Sequence, residues 1–250
     1  MKTLRFALVL ILPAMLFNAC AQDSSLQIVA IHSVKAPLRE IVRIYKQKNP
    51  NVTIRMSFKP TGAIYNEVNG DSTNSDVVIL LNSQWLDNLT STNKVRNVER
   101  FGTNTLLLVG SIYSPSSVKA PTDIVPMLAN NRLALNDPAT NVSGRLSVDI
   151  LNYYGIYNDI RDRIRIIPTT ARTLQAVEVN QISYAIIYRT DALSSDSVKM
   201  IYTFPQESYA PIIYSIGEVS YNESGDVYKQ FIKFLHAKEA QGILELYGFL

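Results

Sequence analysis

From residue 26 onward, short apolar runs alternate with segments whose apolar residues recur at helical spacing. Leu26 to Ile31 is a β-rich run. Leu38, Ile41, Val42 and Tyr45 then fall at i, i+3, i+4 and i+7, one stripe of a helix that Asn49-Pro50 ends. Val52 to Phe58 reads as a strand, Ile64 to Val68 as a short helix, and Val77 to Leu81 as a continuous apolar strand. A helical turn with Trp85, Leu86 and Leu89 follows, its pattern placing Trp85 in the core. Thr105 to Val109 is the next strand, then a helix around Ile124 to Leu128.

The second half repeats the theme. Arg132 to Leu135, Ile164 to Ile167 and Tyr184 to Tyr188 read as strands. The helices between them are marked by Leu146, Ile150, Leu151 and Tyr154, and by Leu174 to Val179. Val198 to Phe204 and Ile212 to Val219 are late strands. Two helices close the chain, the first with Val227, Phe231, Phe234 and Leu235 as its apolar stripe. Continuous apolar strands between helices are strands buried on both faces, which predicts an α/β fold with mainly parallel sheets and flanking helices.

The N-terminus predicts export. Lys2 and Arg5 precede an apolar stretch from Phe6 to Phe17, and Ala19-Cys20-Ala21 supplies small residues before Gln22, the three-part order of a signal peptide over residues 1–21. The apolar run is shorter than the ~20 residues that a membrane helix needs. A second reading takes Phe17-Asn18-Ala19-Cys20 as a degraded lipobox, with Cys20 the lipidated first residue of an anchored protein. Cys20 is the only cysteine, so the mature chain has no disulfide. The formal charge of +3 falls to about +1 without Lys2 and Arg5, and no basic stripe suits nucleic acid.

In open α/β sheets, ligands bind beyond the carboxyl ends of strands. The loops there hold no His/Cys/Asp/Glu cluster for a metal cation, no glycine-rich phosphate loop and no nucleophile elbow. His32 and Ser33 are adjacent, so on extended backbone their side chains point apart, poorly placed for proton transfer. An enzyme would need a nucleophile–base pair, and the loops offer none; no cofactor is indicated. They offer instead hydroxyls and backbone N–H groups at helix starts: Ser33, Thr61 with Gly62, Ser143 with Gly144, and Thr170. Such starts suit anions, although serine and threonine there act first of all as helix caps.

Several segments in order resemble the bacterial periplasmic molybdate-binding protein family, type II solute-binding proteins of ABC importers. They are Ile28 to Val34, Ser57-Phe58-Lys59-Pro60-Thr61-Gly62-Ala63, Asp76-Val77-Val78-Ile79 with Trp85, Arg132 to Pro138 with Ser143-Gly144, Ala185 to Ala192, Thr203-Phe204-Pro205 and Tyr247-Gly248-Phe249. The resemblance implies a two-lobed fold with a cleft between the lobes. Lobe one would hold residues 22–104 plus 206–250 and lobe two residues 105–205, joined near Thr103 to Thr105 and Phe204 to Pro205. It also implies a monomer that captures molybdate or tungstate and hands it to a membrane ABC permease, with molybdenum present only as the oxyanion.

Carried over by position, the ligand contacts would be the hydroxyls and amides of Ser33 and Thr61, the amides of Ser143 and Thr170, and the Tyr188 hydroxyl. All are donors, which suits a fully deprotonated dianion; monohydrogen phosphate would want an acceptor for its proton. The chain departs from the family at Thr61, where serine is usual, at Val142 and Ser143, where Pro-Ala is usual, and at His32, where alanine is usual. Leu80-Leu81 replaces a small Ser-Ala pair, and the register over Thr169 to Arg172 is open by one residue. A same-scaffold binder of a different small anion, or an orphan sensor component without a transport role, is the alternative reading.

Overall fold

The computed structural model describes residues 24–81, 83–114, 118–221 and 225–250. The leader segment and Cys20 lie outside the described residues. The chain runs β1 (Ser24–Ala30), α1 (Lys35–Lys48), β2 (Val52–Phe58), α2 (Thr61–Asn69), β3 (Val77–Leu81), α3 (Ser83–Ser91) and β4 (Val95–Asn104). It continues through β5 (Leu106–Ser111), α4 (Ile124–Met127), β6 (Leu133–Asn136), α5 (Val142–Tyr153), α6 (Tyr157–Ile160), β7 (Ile164–Ile167) and α7 (Thr170–Glu178). The last elements are β8 (Tyr184–Tyr188), α8 (Arg189–Ala192), β9 (Val198–Thr203), β10 (Ile212–Val219), α9 (Gly225–Leu235) and α10 (Lys238–Leu246).

These strands form two five-stranded sheets, β2-β1-β3-β10-β4 and β7-β6-β8-β5-β9, the sheets of a two-lobed α/β fold. Three strands in each run parallel: β2, β1 and β3 in the first, β7, β6 and β8 in the second. The other two pair antiparallel, β10 against β3 and β4, and β5 against β8 and β9. The sheets are thus mixed rather than mainly parallel. The reason lies in the connections. A parallel neighbour needs a long crossover, usually a helix. Strand β5 instead enters its sheet directly from β4 of the other, with Thr105 alone between them, and β10 arrives from β9 across residues 204–211.

The parallel strands are buried on both faces. Val77, Val78 and Ile79 of β3 are 0% exposed, as are Ala185, Ile186 and Ile187 of β8. Helix α1 buries its predicted stripe of Leu38, Ile41, Val42 and Tyr45. Each such aliphatic side chain removed from water contributes about 1.5–3 kcal/mol. The Tyr45 ring stands edge-on to Phe231 at 5.2 Å, joining α1 to α9.

Three expectations change. Strand β4 was not legible: Asn97 has φ of 50° and the β4–β10 register slips twice, so alternation is broken by bulges. Trp85 is 44% exposed rather than core, because Leu86 and Leu89 take the buried face of α3 and leave Trp85 on its flank against Tyr65. In α9 the buried set is Tyr228, Phe231, Ile232 and Leu235, so Val227 and Phe234 sit at the margins of the stripe.

Candidate functional site between the sheets

Ser33, Thr61, Ser143, Thr170 and Tyr188 all stand at or just beyond the carboxyl ends of parallel strands. Ser33 follows β1 in a 3-10 turn (His32–Val34), and Thr61 opens α2 after β2. Ser143 lies in the first turn of α5 after β6, Thr170 opens α7 after β7, and Tyr188 ends β8. None of the first four caps its helix. Pro60 precedes α2 without a side-chain bond, whereas Asn141 caps α5 and the Thr169 hydroxyl accepts from the Arg172 amide at the start of α7. Local helix capping therefore does not account for the hydroxyls of Ser33, Thr61 and Thr170, whereas that of Ser143 is drawn into the Asn141 cap.

A cavity of about 610 Å³ brings two of the five together. Its wall includes Ser33 with Lys35 and Arg39 of α1 on one side, and Thr170 with Thr190 and Asp191 on the other. Leu246, Tyr247 and Phe249 close it from the C-terminal segment. Thr61, Ser143 and Tyr188 are not part of that wall.

Ser143 is fully buried, and its amide donates to the Asn141 side-chain oxygen (Oδ1) at 2.9 Å. The amide expected to face a ligand is thus engaged within its own helix cap. Its hydroxyl donates to the same Asn141 oxygen and accepts from the Asn136 amide group. Asn136 in turn accepts from the Thr173 hydroxyl, tying the starts of α5 and α7 to the end of β6. Gly144 completes this corner: a Cβ there would lie 2.3 Å from the Asn136 carbonyl oxygen.

Tyr188 is the orphan of the site. Its hydroxyl is buried and has no hydrogen-bond partner among the described residues. Ser143 stands close by, but its hydroxyl is already shared between two asparagines. Burial first, then Tyr214 and Asp191, hold the Tyr188 hydroxyl well above the ordinary tyrosine range, while Ser143 and Arg145 act in the opposite direction. Leaving a buried donor unmade costs about 1–3 kcal/mol.

Four residues that the sequence reading did not single out connect the halves: Asn104, Thr190, Asp191 and Tyr214. Asn104, at the last position of β4, is 1% exposed; its side-chain nitrogen donates to Thr190 at 3.0 Å and to the Tyr214 hydroxyl at 3.4 Å. Ser33 and Asn104 together oppose the upward shift that burial imposes on the Tyr214 hydroxyl. Asp191 carries a buried carboxyl oxygen without a partner among the described residues, and burial pushes its pKa up to about 6. Among the described residues, no group of three or more His, Cys, Asp or Glu is gathered to hold a cation.

A profile of bacterial extracellular solute-binding proteins matches residues 26–250. The chain belongs to the bacterial extracellular solute-binding protein family. The molybdate-binding protein of Haemophilus influenzae is 24% identical over 233 residues, covering 92% of this chain and 91% of that relative. A putative ABC transporter substrate-binding lipoprotein of Bacillus subtilis is 23% identical over 240 residues, 93% of this chain and 90% of its own. The substrate-binding domain of a putative molybdenum ABC transporter from Clostridium difficile shares the fold, with a TM-score of 0.82 at 19% identity over 90% of this chain and 97% of that one.

For this solute-binding protein the expectation of a wall made only of donors needs revision, because Asp191 is an acceptor in the cavity wall. The residue lies in the quoted Tyr188-Arg189-Thr190-Asp191 segment, but nothing in a linear sequence says that its carboxyl is buried without a cation. Asn104 and Tyr214 were invisible for a different reason. They are 110 positions apart and meet only through the antiparallel pairing of β10 with β4.

Proposed function

We propose that this protein captures a tetrahedral oxyanion of the molybdate class, molybdate or tungstate, between its two lobes and delivers it to an ABC importer. The lobes are residues 22–104 with 206–250, and 105–205. The observation that carries the reading is a cavity that gathers Ser33 from one sheet and Thr170 from the other, with the Tyr188 hydroxyl, outside its wall, buried and unpartnered among the described residues. An anion that accepts from all three would repay the desolvation of Tyr188 and bridge the halves, favouring a closed state by differential affinity. Thr61 and the start of α5 would complete the shell as the lobes close. The protein would be exported by its leader and act as a monomer, or be anchored through Cys20; the lipoprotein relative from B. subtilis supports keeping the second route.

Calorimetric titration with molybdate, tungstate, sulfate and phosphate tests the reading. Heat with a group-6 anion supports it; clear binding of another anion and none of these two overturns the specificity. The acceptor Asp191 favours that second outcome more than the sequence did, which keeps a same-scaffold binder of a different small anion as the alternative.

Ser33→Ala is expected to weaken molybdate binding by about 1–3 kcal/mol. Tyr188→Phe separates binding from folding. Because it deletes a buried hydroxyl that has no partner, the free protein should be at least as stable as wild type, while affinity falls by a similar amount. Loss of stability together with unchanged affinity would place that hydroxyl outside the site.

A further inference from the structure

Asp191, on α8, lines the cavity together with Ser33 and Thr170. One of its carboxyl oxygens is buried and accepts no hydrogen bond among the described residues. Its charge acts on both Tyr188 of β8 and Tyr214 of β10. The cations nearby do not neutralise it. Lys35 and Arg39 on α1 line the cavity but stand over the Phe58 ring, each 5.8 Å from its centroid. Arg189, two residues earlier on α8, has its Nε buried without a partner among the described residues, and Arg145 on α5 acts on Tyr188. His32 lines the cavity and is exposed. Among the described residues none of these is ion-paired to Asp191.

We propose that binding of a dianionic oxyanion in this cleft takes up one proton from solvent, and that Asp191 is the group that receives it. The inference rests on the oxyanion reading above. An ionised Asp191 and a dianion would put three negative charges into one cleft as it closes over them. Protonating the carboxylate removes one of these charges and turns a repelling acceptor into an O–H donor, the state that buried acids adopt when their surroundings exclude charge. Asp191 is thereby a specificity-determining residue: it sets the total charge that the closed cleft accepts.

The direction with pH follows from the free protein. Burial holds the Asp191 pKa at about 6, so at neutral pH and above the carboxyl is mostly ionised before ligand arrives. The dianion raises that pKa further in the complex. Binding therefore takes up close to one proton above about pH 7, and affinity falls about tenfold for each further unit of pH. Below the free-state pKa the proton is already present, and the dependence flattens.

The test is calorimetry of molybdate binding to the full chain in buffers of different ionisation heat, repeated between about pH 5 and about pH 8. Uptake near one proton at the alkaline end, shrinking toward the acid end, is the expected result. Asp191→Asn should lose both the uptake and the pH dependence and bind more tightly than wild type at the alkaline end. His32→Gln is run in parallel, because histidine also gains charge in this range. Uptake that persists in D191N and disappears in H32Q overturns the assignment to Asp191. If D191N does not fold, the wild-type and H32Q buffer series decides alone: uptake retained in H32Q supports Asp191, and uptake lost overturns it. Binding without proton uptake overturns this inference and leaves the oxyanion reading standing. No heat with any of the four anions removes the oxyanion reading and this inference with it.

Discussion

Gly144→Ala is expected to destabilise the protein by about 3 kcal/mol, the upper end of what overpacking usually costs, and to weaken anion binding as well. Two effects compete. Alanine is the better helix former, worth about 1 kcal/mol over glycine inside a helix. Against that, the new Cβ would lie 2.3 Å from the Asn136 carbonyl oxygen and 2.7 Å from its carbon, both backbone atoms that cannot rotate aside. Steric overlap therefore wins. The first turn of α5 must lift from the end of β6, and with it go the Asn141–Ser143 cap and the Asn136 contact that orders α7. Gly242 in α10 is the control: a Cβ there meets nothing within 4 Å, so Gly242→Ala should stabilise by about 1 kcal/mol. Chemical denaturation of the two variants, with titration of each, checks the pair. Equal behaviour of the two would show that the close packing of α5 on β6 is not what holds this corner.

The second large effect belongs to Phe249. It is 1% exposed, stands edge-on to Tyr214 at 5.1 Å and to Phe101 at 6.3 Å, and lies against Gly102 of β4. The preceding Gly248, with φ of 86°, turns the chain against Thr190 at the start of α8. Phe249→Ala should cost about 3–5 kcal/mol through lost burial and the void left behind, a fall in Tm of roughly 6–20 °C for a chain of this size. Because the ring supports Tyr214, whose hydroxyl accepts from Asn104 and is influenced by Ser33, anion affinity should fall too. Leu246→Ala provides the contrast. Leu246 is 80% exposed, so its loss should move stability by less than about 0.5 kcal/mol. Thermal unfolding that leaves F249A within a degree or two of wild type would remove this ring from the list of supports.

Much of the architecture was legible because burial imposes periodicity. The runs at Val77 to Leu81, Ile164 to Ile167, Tyr184 to Tyr188 and Ile212 to Val219 coincide with strands, and the Leu38 to Tyr45 stripe is the buried face of α1. Pattern failed where geometry departs from the ideal repeat. The bulged β4 shows no clean alternation, and Trp85 reads as core only if the direction of the helix face is ignored.

The candidate site divides along the same line. Sequence alone determined the α/β class, most of the succession of elements and the loops that would hold hydroxyls, since these follow from residue type and local order. Tertiary structure alone decided which hydroxyls caps had already engaged, that half of the strand pairings are antiparallel, and that Asn104 meets Tyr214. It also decided that the Tyr188 hydroxyl and one Asp191 carboxyl oxygen are buried without partners among the described residues. Those facts depend on which distant backbone segments pack together and exclude water, and the energy of a polar group is set by that exclusion rather than by its neighbours in the chain.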